Sequence, residues 1–218
     1  EYCLAHTYRV MSTKALVGLP ETKLGIFPGW GGTIRLSRLI GADNAIEWIA
    51  GGGNNRHEAA LKVGAVEVVV EPDRLRDAAL DLLAQCIEGK IDWRAKRQEK
   101  LEPLKLRSAI EGAMVFTGAK GFVLAKAGTN YPAPIAAQSA MFEGCATTFD
   151  AGLKIESQYF GSLLCSVVAR NMMRTLFVNK GKADKLARRP EGIEKSRVKK
   201  LGILGAGMMG AGIAYVSA

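Results

Sequence analysis

Two acidic residues near the start of the sequence, Glu1 and Glu21, could form an acid–base pair. Glu21 follows a proline, and the glycine-rich turn Pro28-Gly29-Trp30-Gly31-Gly32 comes shortly after it. Such a turn, when it leads into a helix, exposes backbone N–H groups, and Gly29 lets water or a ligand approach because it has no Cβ. Addition of water to a double bond is easier with two acids, because one activates the water while the other protonates carbon.

The elements that would position these acids follow from the hydrophobic pattern. Residues 1–12 show helical spacing followed by strand-like alternation, and residues 16–20 are typical of a short strand closed by proline. Residues 33–41 predict a helix that ends at a glycine. A helix–strand unit of this length can bring Glu1 and Glu21 together. From spacing alone, Glu21 is also consistent with a capping or surface acid, and the turn with an ordinary tight turn.

The rest of the chain changes from mixed helix and strand patterns to helical patterns alone. The pattern predicts a helix over 42–50, a loop over 51–55, a helix and then a β-branched strand over 57–72, and an amphipathic helix over 73–87. From about 88 to 195 strand-like runs disappear, and we find no candidate catalytic cluster there. Residues 180–197 are charged and broken by proline and glycine, which predicts a linker. The predicted fold class is α/β with a long helical region.

A second glycine-rich turn lies near the end of the sequence. Residues 201–204 predict a short strand, and Gly205, Gly207 and Gly210 follow it ahead of a helix-like pattern. This order is typical of a loop that holds a dinucleotide pyrophosphate at a helix N-terminus. The acidic residue that would bind the ribose would lie beyond Ala218, so a glycine-rich packing turn remains the alternative.

Cysteine, histidine and charge patterns argue against several other functions. The four cysteines are scattered and the two histidines stand alone, so we expect free thiols, a reducing compartment and no metal site. The net charge of +9 raises the question of nucleic acid, but the basic residues are spread out or mixed with acids, as in 93–107. We therefore expect no nucleic-acid partner; a basic surface would also suit a phosphate-bearing coenzyme.

The ends of the sequence and its apolar runs bear on location. No apolar run reaches the roughly 18 residues that span a bilayer, and no signal-peptide pattern opens the sequence. We expect no membrane span and a bacterial-type cytoplasmic location, with an organellar one left open. The sequence starts with Glu and stops within an apolar pattern, so we expect an internal fragment of a longer chain. Half a domain would expose an apolar face, so we expect aggregation or poor stability.

The segment GLPETKLGIFPGWGGTIRLSRLIG (18–41) resembles the signature of the enoyl-CoA hydratase/isomerase, or crotonase, superfamily. The resemblance implies that Glu1 and Glu21 flank the catalytic water and that the N–H of Gly29 helps to hold it. It implies syn addition of water to a trans-2-enoyl-CoA, with Glu1 as base and Glu21 as proton donor, and it allows enoyl-CoA isomerisation. The family's oxyanion-hole donors precede Glu1, so the fragment alone is expected to be inactive.

Over the whole chain, the order of segments resembles the α subunits of the multifunctional fatty-acid β-oxidation complex. A crotonase module is followed by a helical connector with KAGTNYPAP (126–134) and then by LGILGAGMMGAGIA (201–214). The resemblance implies three parts: the second half of a crotonase domain at 1–72, a helical linker at 73–195, and the first βα unit of a Rossmann-type 3-hydroxyacyl-CoA dehydrogenase domain at 196–218.

The same resemblance implies cofactors and partners. NAD would be the cofactor of the full-length dehydrogenase, held by Gly205, Gly207, Met209 and Gly210. Acyl-CoA thioesters would be the substrates, and the family's α subunits pair with a thiolase β subunit. Two alternatives remain open: a single-function crotonase fused to another module, and a non-catalytic helical interaction fragment. Steeply salt-dependent binding to DNA or RNA would mark a third, a basic nucleic-acid module.

Overall fold

Short strands and many helices make up the chain, of which the computed structural model describes residues 1–104, 109–185, 190, 192–193 and 197–218. The first elements are α1 (Tyr2–Ala5), β1 (Val10–Ser12), β2 (Val17–Gly18), a 3-10 helix (Pro20–Leu24), α2 (Gly32–Ile40), α3 (Ala42–Gly51), β3 (Asn54–Asn55), α4 (His57–Lys62) and β4 (Val68–Val70). Helical elements follow: a 3-10 turn (Pro72–Arg74), α5 (Leu75–Ile87), α6 (Trp93–Leu101), α7 (Ala109–Ala127), α8 (Pro132–Cys145), α9 (Phe149–Leu164), α10 (Val167–Met172), a π-helical segment (Met173–Asn179), α11 (Lys180–Asp184) and α12 (Met208–Ser217). The chain divides into two compact units, Glu1–Gly181 and Lys182–Ala218.

The strands form two small pairs. β1 and β4 are parallel, with Met11 opposite Val69, whereas β2 and β3 are antiparallel, with Val17 opposite Asn55. A buried ion pair ties the start of β1 to the start of β4, because Arg9 Nη2 lies 2.5 Å from Glu67 Oε1. The backbone N–H of Arg9 also donates to Glu67 Oε2, and its Nε donates to the carbonyl of Ala65.

The core of the first unit lies where α2 and α3 pack against α8 and α9. Ile34 of α2 is 1% exposed, and its Cδ1 would lie 2.5 Å from a Cβ built at Gly144 of α8 and 3.2 Å from one at Gly152 of α9. Because these two glycines lack side chains, α8 and α9 approach α2 closely. The helix pair α8–α9 therefore lies directly behind the turn that precedes α2.

Most elements predicted for the first ninety residues are present. The helices predicted at 33–41, 42–50 and 73–87 appear as α2, α3 and α5, and the strand predicted within 57–72 appears as β4. Gly41, with φ 86°, ends α2 as expected. The amphipathic helix α5 differs in one respect: none of its residues is buried. Its apolar side therefore contributes little to the core of the described chain.

The strand predicted at 201–204 is wrong. These residues carry no regular secondary structure, although the helix predicted after them is present as α12. A strand is stabilised by hydrogen bonds to a neighbouring strand, and within the described part of the second unit no other strand is available to pair with it. The linker predicted at 180–197 lies partly outside the described residues.

Candidate active site

The glycine-rich turn Pro28–Gly32 forms the N-terminus of α2. Gly31 is the N-cap residue and has φ 85°, a left-handed conformation that glycine adopts without a steric penalty. A Cβ at Gly31 would also collide with the guanidinium of Arg35. The turn therefore presents the N–H groups of residues 30 to 33 in a fixed order at the positive end of the helix, where negative groups are stabilised.

Glu1 binds two of these N–H groups. Its Oε1 accepts hydrogen bonds from the N–H of Trp30 at 2.7 Å and of Gly32 at 2.8 Å. A Cβ at Gly32 would lie only 2.6 Å from the same oxygen. Glycine at this position thus lets the carboxylate reach the backbone. Glu1 is itself the N-cap residue of α1, so this helix and the turn together hold the acid.

Glu21 lies in the 3-10 helix Pro20–Leu24 and is partly buried. Its Oε2 is shielded from solvent and has no hydrogen-bond partner within the described part of the chain. Burial raises the pKa of Glu21 above its ordinary value, its own backbone N–H lowers it, and the negative charge of Glu1 raises it further. The buried hydroxyl of Thr22 donates to the carbonyl of Ile49 and so fixes this short helix against α3. Glu1 and Glu21, predicted to act together, are therefore close enough to interact electrostatically.

Gly29 lies against an aromatic ring. A Cβ at this position would come within 2.5 Å of Phe160 Cδ2, so α9 covers one side of the turn. Phe160 also packs edge-on against Phe27, with their ring centroids 5.8 Å apart. A side chain at Gly29 would push Phe160 and α9 away from the turn.

Glu156 of α9 is a further acid at the turn, and it lies in the helical region for which the sequence predicts no catalytic cluster. It is 1% exposed, and its Oε1 accepts a hydrogen bond from the N–H of Gly31 at 2.5 Å. Its Oε2 accepts from the N–H of Thr33 at 3.0 Å and from the Thr33 hydroxyl. Burial raises the pKa of Glu156, these three donors lower it, and the charge of Glu1 raises it. One feature of the sequence could have predicted this role: Glu156 shares a helix face with Gly152, Phe160 and Leu163. Charged residues seldom occupy such an apolar face unless they are paired.

The second unit carries the other predicted binding residues. Gly205 has φ 92°, and Gly207 immediately precedes α12. A Cβ at Gly210 would lie 1.9 Å from the carbonyl oxygen of Gly205, so the turn folds back onto the helix at a position that only glycine fits. Met209 is 73% exposed on the first turn of α12. This compact glycine turn ahead of a helix N-terminus fits a dinucleotide pyrophosphate in backbone geometry.

Across the described ranges, no group of three or more His, Cys, Asp or Glu side chains could hold a metal ion, and the four cysteines are free. Among the described residues, no helix is both long and apolar enough to cross a membrane.

The family is established by comparison with known proteins. The enoyl-CoA hydratase/isomerase family matches residues 2–110, which is half of the chain. The chain therefore belongs to the enoyl-CoA hydratase/isomerase family.

Its similar relatives are longer proteins. The chain is 52% identical over all 218 residues to the fatty acid oxidation complex subunit alpha of Pseudomonas putida strain F1 and 51% identical to that of Pseudomonas syringae pv. syringae. In both comparisons it spans 30% of the relative's length. The resemblance to the α subunits of the β-oxidation complex, seen in the order of the motifs, is thus confirmed.

Solved structures share the fold. The carnitinyl-CoA hydratase from Mycobacterium avium matches 82% of this chain with 54% of its own, at 20% identity and a TM-score of 0.52. The carnitinyl-CoA dehydratase from Mycobacterium avium 104 matches 89% of this chain with 58% of its own, at 19% identity and a TM-score of 0.52. The crotonase-type α/β fold is confirmed, whereas the boundaries at residues 72 and 195 and the Rossmann unit stay predictions.

Proposed function

We propose that this chain supplies the acid–base pair that adds water to the double bond of a trans-2-enoyl-CoA in fatty-acid β-oxidation. The observation that carries the proposal is the pairing of Glu1, bound to the amides of the glycine turn, with Glu21, whose Oε2 is buried without a hydrogen-bond partner among the described residues and whose pKa the charge of Glu1 raises. The family and the relatives' names support the substrate class.

The two carboxyl groups suit opposite roles. Two backbone N–H groups donate to one oxygen of Glu1 and hold its carboxylate in one orientation, from which it could take a proton from water. The raised pKa of Glu21 keeps its proton over a wider pH range, so it can deliver that proton to the α-carbon. The same acid could return a proton to a different carbon, which would isomerise an enoyl-CoA.

The proposal assigns a second reaction to the second unit of the chain, Lys182–Ala218, in the full-length protein. Gly205, Gly207, Met209 and Gly210 would hold NAD, which supplies a hydride acceptor for oxidation of the 3-hydroxyacyl-CoA that hydration produces. The tight contact between Gly205 and Gly210 and the name of the relatives support it. A thiolase partner and a cytoplasmic location remain part of the same proposal, since they rest on the family resemblance.

The decisive experiment measures hydration of crotonyl-CoA by the complete gene product that carries these residues. We expect Glu21→Gln and Glu1→Gln each to lower kcat by about 100-fold or more while KM changes little, because each removes a proton-transfer group. Glu47→Gln is the matched control, since Glu47 is an exposed acid of α3. Wild-type-like kcat in Glu21→Gln would overturn the proposal.

A further inference from the structure

Glu156 is a buried acid that the proposed reaction does not use. It lies on α9, more than a hundred residues after the turn in the sequence, yet its carboxylate receives three hydrogen bonds from Gly31 and Thr33. Burying a carboxylate is costly, and a packed apolar side chain would fill the same space at lower cost. The position therefore calls for an explanation beyond packing.

The hydrogen bonds of the turn alternate between two acids. The N–H groups of Trp30 and Gly32 donate to Glu1, whereas those of Gly31 and Thr33 donate to Glu156. These four amides are consecutive, and neighbouring peptide planes are joined at a single Cα, so the direction of one pair narrows the directions open to the other. The bonds of Gly31 and Thr33 to Glu156 thus help to fix the donors that hold Glu1.

The rest of α9 supports the same contact. Phe160, one turn after Glu156, packs against Gly29, and Gly152, one turn before it, packs against Ile34 of α2. Glu156 lies between these two contacts, in the centre of the surface that α9 presents to the turn. Among the described residues of α9, Glu156 alone accepts hydrogen bonds from the amides of residues 30–33.

We propose that Glu156 is a positioning residue for Glu1: it orients the glycine turn so that the amides of Trp30 and Gly32 hold the Glu1 carboxylate. It acts through Glu1 and does not itself touch substrate. The effect on the reaction rests on the proposed function, whereas the effect on the turn does not.

The first test measures amide hydrogen exchange in the complete gene product by mass spectrometry, with peptide fragmentation that resolves the amides of Trp30 and Thr33. Thr33 reports the bond to Glu156, and Trp30 reports the bond to Glu1. In Glu156→Gln we expect exchange to rise by about 10-fold or more at both amides, because the charged acceptor is lost at one and the orientation is lost at the other. Accelerated exchange at Thr33 with a wild-type rate at Trp30 would overturn the proposal.

Two further variants keep this test interpretable. Asp150→Asn removes an exposed carboxylate from the same helix and should leave both amides at their wild-type rates. If Glu156→Gln does not fold, Thr33→Val replaces it in the test. This variant removes the hydroxyl that donates to Glu156 but keeps the Glu156 carboxylate. We again expect faster exchange at Trp30. An unchanged Trp30 rate in Thr33→Val would then overturn the proposal.

The second test measures hydration kinetics in the complete gene product. Glu156→Gln should lower kcat by about 10-fold or more and keep KM within about twofold, since the orientation of Glu1 changes while the contacts to the rest of the substrate do not. An unchanged kcat, or a loss that falls on KM alone, would overturn the catalytic part of the proposal. A wild-type protein without hydratase activity would instead overturn the proposed function, and Trp30 exchange would still decide whether Glu156 positions the turn.

Discussion

At the scale of single residues, the two acids of the candidate pair differ in how well their carboxylates are satisfied. Glu1 receives two hydrogen bonds from the turn, but Glu21 Oε2 is buried without a partner among the described residues. A buried polar atom without a partner costs stability, so natural proteins keep it mainly where it serves a function. The stability cost of Glu21 is therefore what we expect of a proton donor.

We expect Glu21→Met to raise the free energy of unfolding at pH 7.5 by about 1 kcal/mol, because it removes a partly buried carboxylate whose Oε2 has no hydrogen-bond partner among the described residues. The folded-state pKa of Glu21 is raised, so its stabilising contribution is complete below the unfolded pKa of about 4.5 and is lost as pH rises through the folded value. The gain from Glu21→Met should therefore shrink near pH 4. Urea unfolding at both pH values measures it, with Glu47→Gln as control; an equal gain at both pH values would contradict it.

At the scale of elements, the ion pair between Arg9 and Glu67 connects the start of β1 to the start of β4. The two residues are 58 positions apart in the sequence. Its side chains are 7% and 21% exposed, and Arg9 also donates to the carbonyls of Ala65 and His6. Removal of one partner leaves an unpaired buried charge. The pair thus helps to set the register of the parallel strands that precede the 3-10 helix of Glu21.

We expect Arg9→Met to lower the free energy of unfolding by about 2 kcal/mol, since Glu67, only partly exposed, would lose its partner. Arg74→Met is the matched control: Arg74 pairs with Asp77, but both side chains are more than half exposed. This control should cost less than about 1 kcal/mol. Thermal or urea unfolding of both variants measures the difference, and equal losses would argue against a special role for the buried pair.

The glycine turn before α12 gives a second prediction at this scale. Gly210→Ala should weaken NAD binding to the complete gene product by about 10-fold or more, because its Cβ would collide with the Gly205 carbonyl and open the turn. Gly202→Ala is the control, since nothing lies within 4 Å of a Cβ there. Titration of protein fluorescence with NADH measures the affinities. Equal affinities in the two variants would remove the support for a dinucleotide site.

Local signals predicted the elements that are stabilised locally. The helix α2 follows from its apolar spacing and its glycine stop, and β4 follows from its run of valines. The role of Glu156 could not be predicted in this way, because its partners lie about 125 residues away and only packing brings them together. The strand expected at 201–204 was wrong for a related reason: strand formation depends on a partner, which local pattern does not specify.

At the scale of the whole chain, apolar side chains remain exposed along α5. Leu80, Leu83 and Ile87 are 49%, 55% and 78% exposed and recur at the spacing of one helix face. Contiguous exposed apolar surface lowers solubility. If the chain aggregates, as the sequence predicts, this face of α5 is where we expect the molecules to associate.

We expect the 218-residue chain to self-associate at micromolar concentration, and Leu83→Lys with Ile87→Lys to reduce this association, because charge is placed on the exposed apolar face. Exposed Asp81→Lys on the same helix is the control for added charge. Sedimentation velocity measures the distribution of species. A monomeric wild-type chain with a sharp, cooperative thermal transition would contradict the expectation.

The alternating bonds of the glycine turn also have a consequence for inhibitors. Helix N-termini commonly attract sulfate, phosphate and other small anions from solution. Here the amides of residues 30–33 already donate to the carboxyl oxygens of Glu1 and Glu156. A small anion would have to displace a tethered carboxylate to bind there, so the turn resists competition by the inorganic phosphate and sulfate of ordinary buffers.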